Sequence, residues 1–550
     1  MITRRDFLKT AAVGTTGLSA TIRALASTSV TSDYFGLHPF IDQHPEAVFI
    51  MKTNVVDKMD AEAKLQAGLA FGRTVFVPRD ESGIPITTSI PVKPNMKTAD
   101  PFTYDMKDII SHVADPYFVE GVLGGMKELG IAGSQFHLRE VNRPEHYGVP
   151  YGFSGVAERL GADIRLDQSP NVSSLKVGTD FNWVDVPDGI FYKKIPYLEP
   201  INVPGTWLLN ISKFKAHGMG LTLCCKNLQG TVTHDYQQFC AAYNASMNIN
   251  YTYAQANWKT VVKESFERHL AAGVPRWDRP GQDFNSGIGM ETWITRTLDS
   301  LSVTPAGLHI IEGIYGRDGQ GNSDYGPNPQ DQPHDFDSTG VSSDGKAWDW
   351  MSNVIIFGKD PFRVDIIGYW LGAHEPGNIG LFHCAIDRGM STALNPHRIP
   401  VYLWENGAAN LVKLDSLERT PLLTYYLART YNNQTEPIYH LMNEPFDYSS
   451  VTGVNEPAAP DSPEAFVLYQ NHPNPFNPFT SIEYRLPSSG YARLEVYNLS
   501  GQLVDVLVSG YRSAGSHMAV WNTGNHASGT YFYRFTYGGF SQTKKMVLVR

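Results

Sequence analysis

Between Asp115 and Leu166 the chain switches its apolar period back and forth, and this constrains the fold more than any other feature. Asp115-Pro116 opens a segment whose apolar positions Val119, Val122, Leu123, Met126 and Leu129 recur at helical spacing, and Gly130 closes it. An Asp before Pro offers an acceptor to the first free amides of a helix, and Pro fits its first turn. The run from Ser134 to Val141 suits a strand, Ser154 to Leu160 a second helix ended by Gly161, and Asp163 to Leu166 another strand. Helices alternating with strands predict an α/β domain, a mostly parallel sheet flanked by helices. The pattern returns later. Trp258, Val261, Val262, Phe266 and Leu270 form one helical face stopped by Gly273, and Asn353 to Phe357 reads as a buried strand. Asp360-Pro361 starts a helix with Val364, Ile367, Trp370 and Leu371 on one side and Gly372 at its end. A helix over Ile379 to Arg388 places His383 and Cys384 in the core. The polar stretch from Gly316 to Gly345 is too long for a simple connection and reads as a lid or a disordered insertion.

At 550 residues the chain exceeds one ordinary core, and 42% hydrophobic against 18% charged residues argues against general disorder. A net charge of -10 with no dense Lys/Arg run leaves no basic face for phosphate backbones, so nucleic acid is not an expected partner. The four cysteines, Cys224, Cys225, Cys240 and Cys384, form no CxxC pair and no ferredoxin-type spacing. A cysteine-ligated iron–sulfur cluster is therefore not expected. The thiols read as buried or unpaired. A Cys240 to Cys384 bridge stays open for an oxidising compartment, since sequence does not decide connectivity.

Thr3-Arg4-Arg5-Asp6-Phe7-Leu8-Lys9 precedes a weakly apolar stretch, Thr10 to Ile22, and the small-residue site Ala24-Leu25-Ala26. This resembles a twin-arginine signal peptide over residues 1–26, implying the twin-arginine translocase as a partner and cleavage after Ala26. The stretch is too short and polar to remain as a membrane span, so no transmembrane helix is expected in the mature chain.

Residues 27–450 are assigned to the α/β domain and 451–465 to a linker, on the Pro-rich acidic run Glu456 to Pro463. Residues 466–550 carry short alternating runs: Ser481 to Leu486, Ala492 to Asn498, Gln502 to Val508, His517 to Trp521, Thr530 to Thr536 and Thr543 to Val549. These predict a small antiparallel β-sandwich. Gln470-Asn471-His472-Pro473-Asn474-Pro475-Phe476-Asn477-Pro478, Tyr497-Asn498-Leu499-Ser500-Gly501, Ala514-Gly515-Ser516-His517 and Ser528-Gly529-Thr530-Tyr531-Phe532-Tyr533 together resemble the C-terminal sorting domain of type IX secretion cargo. The resemblance implies an immunoglobulin-like sandwich and the type IX secretion and sorting machinery as partner. It also implies export through the periplasm to the outer-membrane surface or the medium.

The densest chemistry lies in Ser212-Lys213-Phe214-Lys215-Ala216-His217-Gly218, continuing through Cys224-Cys225-Lys226-Asn227-Leu228-Gln229-Gly230. It follows a strand-like run, Trp207 to Ile211, and reads as a strand end, a Gly-containing loop and a helix, where open α/β sheets bind ligands. Three lysines and a histidine converging there suit a small carboxylate or phosphate. The bland alternative is a solvated basic edge. No GxxxxGK[ST] loop is present.

With Lys93-Pro94-Asn95, Glu312-Gly313-Ile314 and Asp360-Pro361-Phe362-Arg363-Val364-Asp365, this block resembles the domain of unknown function family 362, in the family's order over Val48 to Met390. The family has no settled activity. Many members carry ferredoxin-type cysteines, which this chain lacks. The candidate ligand-binding residues are Lys93, Asn95, Lys213, Lys215, His217, Lys226 and Asn227; His217, Glu312 and Asp365 are candidates for a divalent metal. Glu312 and Asp360 both follow apolar strand runs, so parallel topology would bring them near the lysines, although Asp360 reads first as a helix cap. The leading reading is an exported, surface-directed protein whose α/β domain binds a small anion. Two alternatives stand: a non-enzymatic surface receptor or assembly protein, and a metal-dependent isomerase-like or redox-associated enzyme. The isomerase alternative rests on a His-Gly-loop-Lys order resembling nickel-dependent lactate racemases over one loop.

Overall fold

The computed structural model describes residues 32–96, 113–140, 152–166, 175–217, 220–233, 253–282, 286–318, 348–420, 445–448 and, with short gaps, 467–549, besides positions 243 and 422. The twin-arginine segment, the linker, Cys240 and most of the expected lid lie outside them.

One large mixed sheet organises the central domain. Its strands in chain order are β1 (Val48–Lys52), β2 (Ile90–Pro94), β3 (Phe136–Glu140), β4 (Asp163–Leu166), β5 (Leu209–His217), β6 (Gly220–Thr222), β7 (Leu308–Asp318), β8 (Trp348–Trp350), β9 (Val354–Gly358), β10 (Val401–Glu405) and β11 (Ala408–Leu411). The spatial order is β11-β10-β1-β9-β7-β5-β2-β3-β4, with β6 paired to β5 and β8 to β7. From β7 through β5, β2 and β3 to β4 every pairing is parallel. β9 runs antiparallel to both β7 and β1.

Helices cover both faces, as parallel strands require. On one side α1 (Ala61–Val75), α2 (Pro116–Lys127) and α3 (Phe153–Leu160) bury Phe71, Phe118, Val122 and Val156 against Phe49, Val92, Leu138 and Ile310. The short α4 (Cys224–Asn227) follows β6, and α5 (Trp258–Ala271) packs on a separate apolar cluster. On the other face α6 (Gly287–Leu301), α7 (Pro361–Leu371) and α8 (Gly380–Asp387) bury Ile294, Val364, Ile367 and Phe382 against Ile50, Ile311 and Ile356. Neighbours such as Ile310 and Ile311 thus serve opposite cores, the period of two that a strand imposes. The caps fall where the sequence placed them. Asp115 accepts from the Tyr117 and Phe118 amides, and Asp360 from those of Phe362 and Arg363. α1 and α2 cross closely: a Cβ on Gly68 would overlap the Phe118 carbonyl oxygen, and one on Gly121 the Leu65 carbonyl oxygen.

Two expectations are corrected. β5 does not end at Ile211 but runs on to His217 and turns back through β6, so Lys213 and Lys215 are strand residues and not loop residues. Their spacing is the reason, because Lys213, Lys215 and His217 alternate with Ser212, Phe214 and Ala216, and buried Phe214 and Ala216 anchor the other face. Asp360 lies away from the lysines. Since β9 is antiparallel, Gly358 pairs with His309 at the opposite end of the sheet from Glu312, and Asp360 follows there.

The C-terminal residues form two antiparallel sheets. One contains β12 (Val467–Leu468), β13 (Phe479–Leu486) and β16 (Gly515–Asn522); the other contains β14 (Gly490–Asn498), β15 (Leu503–Arg512), β17 (Gly529–Tyr537) and β18 (Phe540–Leu548). They share one apolar cluster around Ile482, Leu494, Trp521, Tyr533 and Phe535. All six runs read from the sequence are strands here.

Candidate functional site

The carboxyl-terminal halves of β2, β3, β5 and β7 carry a buried polar cluster, and its charges are arranged in pairs. Lys213 and Glu312 face each other across the parallel β5–β7 pairing, with Lys213 Nζ 2.8 Å from Glu312 Oε2 and both side chains fully buried. The same Glu312 oxygen accepts the Asp115 amide at 2.9 Å, and Oε1 accepts that of Ile314 at 2.9 Å. Asp115 in turn holds Lys64 of α1 at 2.7 Å and the Tyr315 hydroxyl at 2.8 Å. The Lys213 ammonium stands 3.7 Å from the centre of the Tyr315 ring, a cation–π contact. Beyond it, Asp349 accepts from Arg317 Nε and from Lys58 Nζ, each at 2.5 Å.

A second pair lies one strand over. Lys93 Nζ is 2.7 Å from Glu140 Oε2, which also accepts the Met96 amide at 3.1 Å. Asn227 ties this pair to the sheet. Its Oδ1 accepts from Lys93 Nζ and Asn95 Nδ2, while Nδ2 donates to Lys93 O, Asn210 Oδ1 and Ile211 O. Gly230 completes the Lys-Asn-x-x-Gly block for a steric reason, because a Cβ there would overlap Glu140 Oε1 and Lys93 Cε.

Lys215 stands between these pairs. It is buried, and its ammonium is held well below the usual lysine range, first by burial and then by Lys226; Glu140 opposes, while Lys213 and Arg317 add to the depression. Opposite it on β6 sits Thr222, whose buried Oγ1 has no hydrogen-bond partner among the described residues. The same holds for Asn95 Oδ1. Such orphaned polar atoms are uncommon in folded cores and mark places where a further group can bind.

The sequence candidates are therefore only partly brought together. Lys93, Asn95, Lys213, Lys215, Asn227 and Glu312 share this cluster, with Lys226 half-buried beside it. His217 ends β5 opposite Gly220, and its side chain lies outside the description. Asp365 sits apart on α7, where its carboxylate accepts the Cys224 amide at 2.7 Å and the Cys225 amide at 2.9 Å, so it anchors the start of α4. Burial raises its pKa to about 7 against those two bonds. Sequence reasoning missed Lys64, Glu140, Tyr315, Arg317 and Asp349 as site residues and read Asp115 as a cap alone. Tyr315 and Arg317 stand an odd number of residues beyond Glu312, so plain alternation points them to the other face, and the register shift between Lys213 and Lys215 that breaks it leaves no mark in the sequence.

Residues 470–549 match the family model described as secretion system C-terminal sorting domain, which makes the chain a secreted protein of the class that type IX systems sort to the outer-membrane surface or the extracellular space. Residues 90–370 match the model described as Domain of unknown function (DUF362). That match covers more than half of the 550 residues, and the protein belongs to this family. No curated protein matches the chain. No helix among the described residues is long and apolar enough to cross a membrane.

Proposed function

We propose that the α/β domain binds a small anionic compound, a carboxylate or phosphate, over the carboxyl-terminal ends of β2 and β5, and that the sorting domain delivers this binding activity to the cell surface or beyond. The observation that carries the reading is the placing of buried Lys215 directly across from Thr222, whose buried hydroxyl has no hydrogen-bond partner among the described residues. Holding an ammonium there costs free energy that an anion would recover. The orphaned Thr222 hydroxyl can donate to the same ligand, whereas Asn95 Oδ1, an acceptor, can take a hydrogen bond only from a protonated oxygen such as that of a hydrogen phosphate. Lys93 and Lys213 are closed by Glu140 and Glu312, and these paired lysines shape the floor of the site. Within this reading the N-terminal residues act as a twin-arginine signal, cleaved after Ala26, and the C-terminal sheets as an immunoglobulin-like sandwich.

The test is a thermal-melt series on the mature full chain with orthophosphate, pyrophosphate and a panel of di- and tricarboxylates. Binding only to the folded state raises the melting temperature by linkage, about 2.7 kcal/mol at a hundredfold excess over Kd. The expected result is a selective rise for one of these classes that Lys215→Met abolishes. If no member of either class shifts the wild type, the anion site is wrong.

A further inference from the structure

On the helical face remote from the lysine cluster, three helices bring a histidine, a carboxylate and a thiol to one point. His269 comes from the last turn of α5, Glu291 from α6 and Cys384 from α8, and all three are buried. One ligand atom from each lies within 4.8 Å of the other two. His269 Nδ1 is 2.8 Å from Glu291 Oε2 and 3.7 Å from Cys384 Sγ.

We propose that His269 Nδ1, Glu291 and Cys384 Sγ form a binding site for a thiophilic divalent cation, with zinc the best match. The donors converge on the same ring nitrogen. In a proton relay the thiol and the acid would sit on opposite nitrogens, whereas ligands to one ion crowd around one centre. A tetrahedral zinc with bonds of about 2.3 Å to sulfur and about 2.1 Å to nitrogen sets those two ligands about 3.6 Å apart, and the observed separation is 3.7 Å; the 2.8 Å between Nδ1 and Glu291 Oε2 is a hydrogen-bond distance that the ion would open to about 3.4 Å. The thiolate disfavours magnesium and calcium, which prefer oxygen.

The far side of the ring supplies the independent observation. His269 Nε2 is buried and makes no hydrogen bond among the described residues, while Asp387 Oδ2 lies 3.5 Å away. A histidine that gives Nδ1 to a cation keeps its ring proton on Nε2, here facing Asp387, the carboxylate–histidine–metal arrangement that orients metal-bound histidines. Trp277 fixes the other ligand, donating Nε1–H to Glu291 Oε2 at 2.7 Å. Enclosed by three helices, the ion would enter as they pack and displace the thiol proton. The remaining coordination position falls to water.

The test uses the full chain produced with cobalt in place of zinc and dialysed against metal-free buffer. The site requires one cobalt per chain and a sulfur-to-cobalt charge-transfer band in the near ultraviolet. Cys384→Ser, nearly isosteric, should remove the band; Cys224 and Cys225, the other described thiols, would leave it intact if they were the source. Asp387→Asn acts at a partly exposed position that keeps the fold testable, and it should weaken cobalt affinity about tenfold while retaining the band. Absence of bound cobalt, a band that survives Cys384→Ser, or an unchanged affinity in Asp387→Asn would overturn the assignment.

Discussion

Lys213 and Glu312 face each other across two parallel strands, 2.8 Å apart and sealed from solvent, and each is also held by a partner of its own. In the sequence Lys213 and Lys226 are equivalent cations of one block. The structure separates them. Lys213→Met would leave Glu312 as a buried charge without its cation, and breaking such a pair costs about 3–5 kcal/mol. Chemical denaturation should show that loss, and adding Glu312→Gln should recover much of it. A single variant as stable as wild type would show that the pair does not hold the sheet.

Lys226→Met is expected to behave in the opposite way. Lys226 is the charge that most depresses the Lys215 ammonium, and it is half-buried. Its removal should leave the melting temperature unchanged or slightly higher and should reduce the stabilisation given by the anion that shifts the wild type. A drop of several degrees would instead make Lys226 a structural residue.

Asp365 gives stability a pH dependence with a defined sign. Its folded pKa is raised to about 7 from the usual aspartate value of about 3.9, burial being the largest cause. The folded state therefore keeps the proton that the unfolded chain has released. The stability this proton contributes is fully present below pH about 4 and lost as pH rises through about 7. Unfolding midpoints across this window should fall more steeply for wild type than for Asp365→Asn. Parallel curves would contradict the burial account.

Removing residues 466–550 should leave the α/β domain folded, because its apolar clusters share no residue with that of the C-terminal sheets. Cell fractionation should find the truncated protein in the periplasm. Recovery of it at the surface would mean that sorting information lies elsewhere.

Arg4→Lys with Arg5→Lys tests the other end. Lysine keeps the charge but not the planar guanidinium fork, so full-length precursor should accumulate in the cytoplasm. Normal maturation of the double variant would exclude the twin-arginine route.

Much of the scaffold was legible in the sequence because single residues carry it. Asp115-Pro116 and Asp360-Pro361 start helices, Gly161 ends one, and all six C-terminal runs alternate as strands must. The Lys-x-Lys-x-His spacing also carried a period of two, yet its charges suggested a loop, since buried lysines on a strand are rare unless paired. Glu312, the partner of Lys213, lies on another strand, and pairing between strands leaves no local mark. The antiparallel course of β9 was equally hidden, because a strand's direction depends on a connection and not on its residues. His269, Glu291 and Cys384 are scattered over three helices with no motif spacing, and only packing makes them neighbours.

The glycine seam between α1 and α2 acts as a gauge for a site that it does not touch. Lys64 lies one helical turn before Gly68, and Asp115 stands just ahead of the helix that carries Gly121, so the bare backbone contact fixes how far these two charges are apart. A single methyl group at either glycine would thicken the seam. The strain would pass from Asp115 to Glu312 through one amide, and from Glu312 to Lys213 through one ion pair. The lysine cluster can thus be detuned with every one of its own residues intact, so a survey of variants confined to its charged groups would overlook the positions that calibrate it.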